Sequence, residues 1–246
     1  MKPHCDDVFS RLSFCNRPLR LPAIAIALLL LLPFGQTPTQ AAASPASEAS
    51  TAHVYLLRGV LNIFSLGLDD IAAKLQAKGI PVTVANFVSW SSLADDAATR
   101  YRTGQIKTII LVGHSSGATA LPDMAAKLDR LGVPVKLAIG LDSVFRTSLT
   151  GRVGHYINFY IANGAGTPVE KRRGFQGSLE NVNVENVPGV GHMSIEKNQI
   201  MQHKVISAID AVVFGRSEPA SVAGKPRPGN ANVGRRSTAG AAKLGH

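Results

Sequence analysis

The run Lys107-Thr108-Ile109-Ile110-Leu111-Val112 passes directly into Gly113-His114-Ser115-Ser116-Gly117 and then into a helix period, and this succession constrains the fold more than any other part of the chain. A short, β-branched apolar run without alternation suits a strand buried on both faces of a parallel sheet. Residues 116–131 then place Ala120, Leu121, Met124, Leu128 and Leu131 at three- and four-residue intervals, with Gly132 in the position where a helix stops. Strand, tight turn and helix in this order put the Ser115 hydroxyl in solvent at the carboxyl edge of a sheet, and the small flanking residues let strand and helix approach. Ser115 is therefore the candidate nucleophile.

Both ends of the chain differ in composition from its middle. In residues 1–43, Arg11, Arg17 and Arg20 precede the apolar stretch 21–34, which leads to Gln40-Ala41-Ala42-Ala43. This is the pattern of a secretory signal peptide. The apolar stretch contains Pro22 and Pro33 and is shorter than the roughly 20 residues a membrane span needs, so a stable transmembrane segment is not expected. Secreted or periplasmic localisation follows. Cys5 and Cys15, the two cysteines of the chain, both fall in this segment, so neither disulfides nor thiolate chemistry is expected of the mature protein. Residues 216–246 are rich in Gly, Ala, Pro and Ser, carry six Lys or Arg against one Glu, and read as a disordered basic tail. That tail holds half of the formal net charge of +10 and could engage an anionic envelope polymer.

With 44–52 as a short linker, residues 53–215 are long enough for one well-packed domain. Strands are expected over 53–57, 81–85, 107–112, 135–141, 153–161 and 179–184, with helices over 69–78, 91–101, 116–131 and 195–214. Ser91 or Ser92 should cap the second of these helices. Strands alternating with helices imply a single three-layer α/β domain with a mostly parallel sheet of about six strands, whose functional groups gather beyond the carboxyl ends of the strands.

Nucleophilic acyl transfer needs a base for the serine proton, a group that fixes the base's tautomer, and N–H donors for the developing oxyanion. Among the histidines, His192 lies in a loop between the last strand and the last helix and is the candidate base. Asp142 ends the strand after the 116–131 helix and is the candidate acid, with Glu170 in reserve. The N–H of Ser116, next to the nucleophile, and that of Val60, in the loop after the first strand, are the candidate oxyanion donors, with Leu61 as alternative to Val60. Arg58, Leu61, Phe64 and His114 are candidate substrate contacts, although Arg58 equally suits an ion pair. Asn62, Ser65 and Trp90 are further residues that could line an acyl pocket. No phosphate-binding glycine loop, metal-ligand cluster or basic-aromatic pattern stands out, so no cofactor, no metal and no nucleic-acid partner are expected.

Gly-His-Ser-Ser-Gly, Gly-Leu-Asp and Gly-His, in the chain order Ser, Asp, His, resemble the α/β-hydrolase superfamily over 53–214, and the wording is similar to that of lipases and esterases. The resemblance implies a minimal α/β-hydrolase fold and a serine hydrolase of carboxylic esters or thioesters acting through an acyl-enzyme on a small-molecule or lipid-like ester. This chain departs from the larger members in lacking two leading antiparallel strands, in carrying the acid one strand earlier, and in having Arg-Gly where the oxyanion loop usually has His-Gly. Only about ten residues follow Asp142 before the next strand, too few for a large lid. A non-catalytic binding protein of the same fold and an acyltransferase using the same serine are the rival readings. If His192 is the base it must be neutral to accept a proton, so activity is expected to rise from acidic to neutral pH.

Overall fold

A computed structural model describes residues 44–60 and 65–215. The signal-like segment, the basic tail, and Leu61, Asn62 and Phe64 lie outside the described residues. The first described element is α1 (Pro45–Thr51), capped by the Ser44 side chain, which accepts from the Ser47 amide. Residues 44–52, expected to be a linker, thus contain a helix, and its Ala49 joins the core. There follow β1 (Ala52–Arg58), α2 (Gly67–Gln76), β2 (Val82–Asn86), a single helical turn at Phe87–Ser89, α3 (Trp90–Arg102), β3 (Thr108–His114), α4 (Ser116–Arg130) and β4 (Val135–Leu141). The chain then forms β5 (Ser148–Leu149), β6 (Arg152–Tyr160), β7 (Glu170–Lys171), β8 (Gln176–Asn183) and α5 (Gln199–Phe214).

Six strands make one sheet in the order β2-β1-β3-β4-β6-β8, and every pairing is parallel. Period-two alternation sends neighbouring residues of one strand to opposite faces. On β1, Val54 and Leu56 pack against Leu68, Ile71 and Leu75 of α2 and Met201, Val205 and Ile209 of α5. Tyr55 and Leu57 point the other way, into Ala94 and Ala97 of α3 and Leu121, Met124 and Leu128 of α4. Burial on both faces explains why β3 reads as an unbroken apolar run, and the result is the expected three-layer α/β domain.

Several elements differ from the sequence expectation. Helix α3 begins at Trp90, ahead of Ser91 and Ser92, and Ser89 at its N-cap makes no side-chain capping bond. The preceding turn takes that role, because the Asn86 side chain accepts from the Val88 amide. The last helix starts at Gln199 and not near 195, since Asn198 stops the preceding turns and accepts from the amides of Ile200 and Met201. No helix joins β4 to β6 or β6 to β8; the short parallel pair β5-β7 lies there, and Leu149 and Val169 fill the core where helical side chains would otherwise pack. Two-residue strands carry too little pattern to be read from sequence. Among the described residues, no helix is long and apolar enough to cross a membrane.

Sheet order reverses between β1, which leads to β2, and β3, which leads to β4 and β6, so the carboxyl ends of β1 and β3 flank a topological switch point. At that point α4 leans on β1 so closely that a Cβ on Gly117 would overlap the Leu57 carbonyl oxygen. Gly117→Ala should therefore lower stability by about 3 kcal/mol, at the upper end of overpacking costs. Gly132→Asn, at a left-handed turn with open space around it, should cost less than about 1 kcal/mol. Urea unfolding of the two variants checks the contrast, and equal losses would refute the close-approach argument.

Candidate active site

Ser115 occupies the turn between β3 and α4 with φ of 58° and ψ of −122°. A serine avoids this region unless its surroundings hold it there. Its amide donates to the Leu141 carbonyl at 3.0 Å, while its carbonyl accepts from the Thr119 amide at 3.0 Å, so both ends of the residue are tied to neighbouring elements. The backbone then aims the side chain away from both strand and helix. His192 Nε2 stands 3.1 Å from Ser115 Oγ, and His192 Nδ1 stands 2.6 Å from Asp142 Oδ2. A carboxylate only accepts, so the ring carries its proton on Nδ1 and presents the Nε2 lone pair to the serine hydroxyl. Ser115, His192 and Asp142 thus come together in the spatial order the sequence suggested.

Asp142 is fully buried and its other oxygen, Oδ1, accepts from the Ile161 amide at 2.9 Å. Its φ of 50° turns the chain out of β4 so that the carboxyl group lies at the sheet edge. Gly166 packs against this oxygen, and any side chain there would displace the carboxylate. The loop bearing Gly166 is fastened from beneath. Asn158 on β6 donates to the Thr167 carbonyl at 3.0 Å, and Asn181 on β8 exchanges bonds with the amide and carbonyl of Val169 at 2.8 and 3.0 Å. Glu170, the reserve acid, sits instead on β7 as an exposed residue facing Arg146 at 3.3 Å, because the β5-β7 pair carries it to the surface.

Gly59 crosses directly over the nucleophile, where an added Cβ would stand 2.9 Å from Ser115 Cβ. Its amide donates to Ser65 Oγ at 3.1 Å, which leaves Val60 as the next N–H along the loop. Val60 and Ser116 line one groove, and the Ser116 amide is the first of α4, where N–H groups have no acceptor within the helix. Leu61, the alternative donor, and Phe64 lie outside the described residues.

Three expected substrate contacts have other roles. Arg58 is ion-paired with Asp69 on α2, so its guanidinium is already engaged. Ser65 is buried, holding Gly59 on one side and His114 Nδ1 at 2.8 Å on the other. His114, the last residue of β3, is also buried, so its ring is not open to a substrate. Its Nε2 donates to the His192 carbonyl at 2.8 Å; Nδ1 therefore carries a lone pair and accepts the Ser65 hydroxyl. A continuous relay thus runs from the Gly59 amide through Ser65 and His114 to the backbone of His192. The histidine in Gly-His-Ser marked the position in sequence, but nothing local showed that its partners lie 49 and 78 residues away. Burial is also what keeps this ring neutral, lowering its pKa from 6.5 to about 4. Beside it, burial pushes the carboxyl group of Glu196 upward.

Among the described residues, no group of three or more His, Cys, Asp or Glu could hold a metal ion. No family model and no curated protein matches the chain. Solved structures do align with it. A structure assigned as a hydrolase of the alpha/beta superfamily from Xanthomonas campestris pv. campestris shares 11% identity, with a TM-score of 0.38 and coverage of 65% of this chain and 98% of that one. The NocB thioesterase domain from the nocardicin cluster shares 13%, with a TM-score of 0.40 and coverage of 70% and 97%. An acetyl xylan esterase shares 14%, with a TM-score of 0.37 and coverage of 66% and 98%.

The buried neutral histidines link stability to pH. His53, at the start of β1, resembles His114 in this respect: burial, aided by nearby Arg100, lowers its pKa to about 4. Between about pH 6.5 and 4 the unfolded chain takes up protons that these rings refuse, so stability falls as pH drops through that window. At pH 5 each ring should account for about 2 kcal/mol of lost stability relative to pH 7.5. Glu196 acts in the opposite sense, because its raised pKa favours proton binding in the folded state. A variant comparison isolates the histidine contribution. In His53→Gln the loss between pH 7.5 and 5, measured by urea unfolding, should shrink by about 2 kcal/mol, and an unchanged difference would refute the buried neutral state.

Proposed function

We propose that the chain is a serine hydrolase of carboxylic esters or thioesters. The observation that carries this reading is the pair of contacts on His192, 3.1 Å to Ser115 Oγ and 2.6 Å to Asp142 Oδ2, at the open edge of the sheet. In the proposed reaction His192 Nε2 takes the Ser115 proton as Oγ attacks the substrate carbonyl. Asp142 holds the Nδ1 proton and faces the imidazolium that results. Negative charge gathers on the carbonyl oxygen, toward the amides of Ser116 and Val60. Collapse of this intermediate breaks the bond to the alcohol or thiol, which leaves with the proton from His192. Water then repeats the sequence on the acyl-enzyme, losing a proton to His192 and releasing the acid and free Ser115.

Export is proposed as well, on the basic-then-apolar segment alone, and N-terminal sequencing of the mature protein tests it.

Ser115→Ala should lower ester turnover by about 10⁴-fold or more and abolish labelling by a fluorophosphonate probe, and Asp142→Asn should lower kcat by about 10⁴-fold. Persistent labelling of Ser115→Ala would sink the nucleophile assignment. A wild-type protein neither labelled nor active on esters or thioesters would sink the hydrolase and favour a binding role.

A further inference from the structure

Beside Ser115 lies a groove of about 320 Å³. Its floor is one face of α4, with Ser116, Thr119, Ala120 and Asp123 recurring at the three- and four-residue spacing that stacks side chains along a helix. Val60, Phe87, Trp90 and Phe145 complete the lining. Phe145 and Val60 are 67% and 52% exposed, so these apolar side chains face solvent. Phe145 is nonetheless held in place: Ser143 Oγ donates to its carbonyl at 2.9 Å and lies 2.8 Å from Thr119 Oγ1 on the groove floor.

Resting on the hydrolase reading, we infer that this groove takes the acyl chain of the substrate, a neutral or cationic chain of about eight carbons. The tetrahedral carbon formed at Ser115 has three remaining substituents, and two directions are already assigned. The oxygen points to the amides of Ser116 and Val60, and the leaving group must lie toward His192, which protonates it. No residue of the 187–194 loop lines the groove, so the groove receives the third substituent, the acyl chain.

Length follows from two independent measures. From Ser116 to Asp123 the helix rises about 10 Å at 1.5 Å per residue, and an extended hydrocarbon advances about 1.3 Å per carbon given C–C bonds of about 1.5 Å. That distance holds about eight carbons. The volume agrees: at about 30 Å³ per water-sized group, 320 Å³ holds about ten. Charge follows from Asp123, an exposed carboxylate at the far end, which repels a terminal carboxylate on the chain.

The test uses p-nitrophenyl esters of increasing acyl length, with alcohol-length variants of acetate esters as the control series. In the wild type kcat/KM should rise about twofold per methylene to about eight carbons and then level off; this is below the roughly fourfold of complete burial because the groove is open. Phe145→Ala should flatten the rise. An octanoyl-length ester ending in a carboxylate should be about fivefold poorer than its neutral counterpart, and Asp123→Lys should reverse that order. An optimum at acetate, a dependence on alcohol length in place of acyl length, or carboxylate discrimination unaffected by Asp123→Lys would overturn the groove assignment while leaving ester hydrolysis standing. Absence of both ester turnover and probe labelling in the wild type would overturn the hydrolase reading and this inference together.

Discussion

Among the described residues Ser115 and Asp142 are the two non-glycine positions with left-handed φ, at 58° and 50°, and the rest of the site depends on holding both there. Such conformations cost on the order of 1–3 kcal/mol each and persist only when packing over-determines them. The Ser115 turn is fixed by β3 beneath it, by the close contact of α4 with β1, and by the bond from its amide to Leu141. The Asp142 turn is fixed by the Ile161 amide and by Gly166 behind the carboxylate. A fully buried carboxyl group is costly unless its oxygens are satisfied, and here each oxygen has a donor. Fold and site are thus one arrangement: parallel strands side by side bring two strained turns to the same edge, and the loop before α5 lays His192 across them.

The relay from Gly59 through Ser65 and His114 to His192 ties that loop to the one before α2. In the proposed reaction these two loops carry the oxyanion donor and the base, which must be in register to within a fraction of an ångström. A buried neutral histidine suits this purpose, because one ring nitrogen donates while the other accepts. Amides and hydroxyls on two separate loops are thereby joined through a ring anchored at the end of β3.

Features written in local pattern were legible from sequence. The apolar run of β3, the helix period after Ser115, and the strand-end positions of Asp142 and His192 all depend on residues close along the chain. Features that depend on distant pairing were not. Arg58 gives no local sign that Asp69 will neutralise it, and Gly166 gives none that a carboxylate will lie against its Cα. The last helix starts later than the pattern suggests because Asn198, and not the nearest serine, satisfies its free amides, whereas Asn86 caps the single turn ahead of α3. The pair β5-β7 is not legible because two residues cannot display an alternation, and Glu170 reads as a candidate acid for the same reason.

The absence of helices between β4 and β6 and between β6 and β8 has a consequence for how the domain comes apart. One flank of the sheet is clasped by long helices on both faces, whereas this side of the other relies on Leu149, Val169 and a few asparagine bonds, with the largely exposed β8 at its margin. Local opening concentrates where buried apolar contact is sparse. The 161–175 loop that backs Asp142 joins β6 to β8 and so belongs to this thinly covered side. The acid of the site is thus backed by the part of the domain that owes most to single hydrogen bonds and least to helix packing.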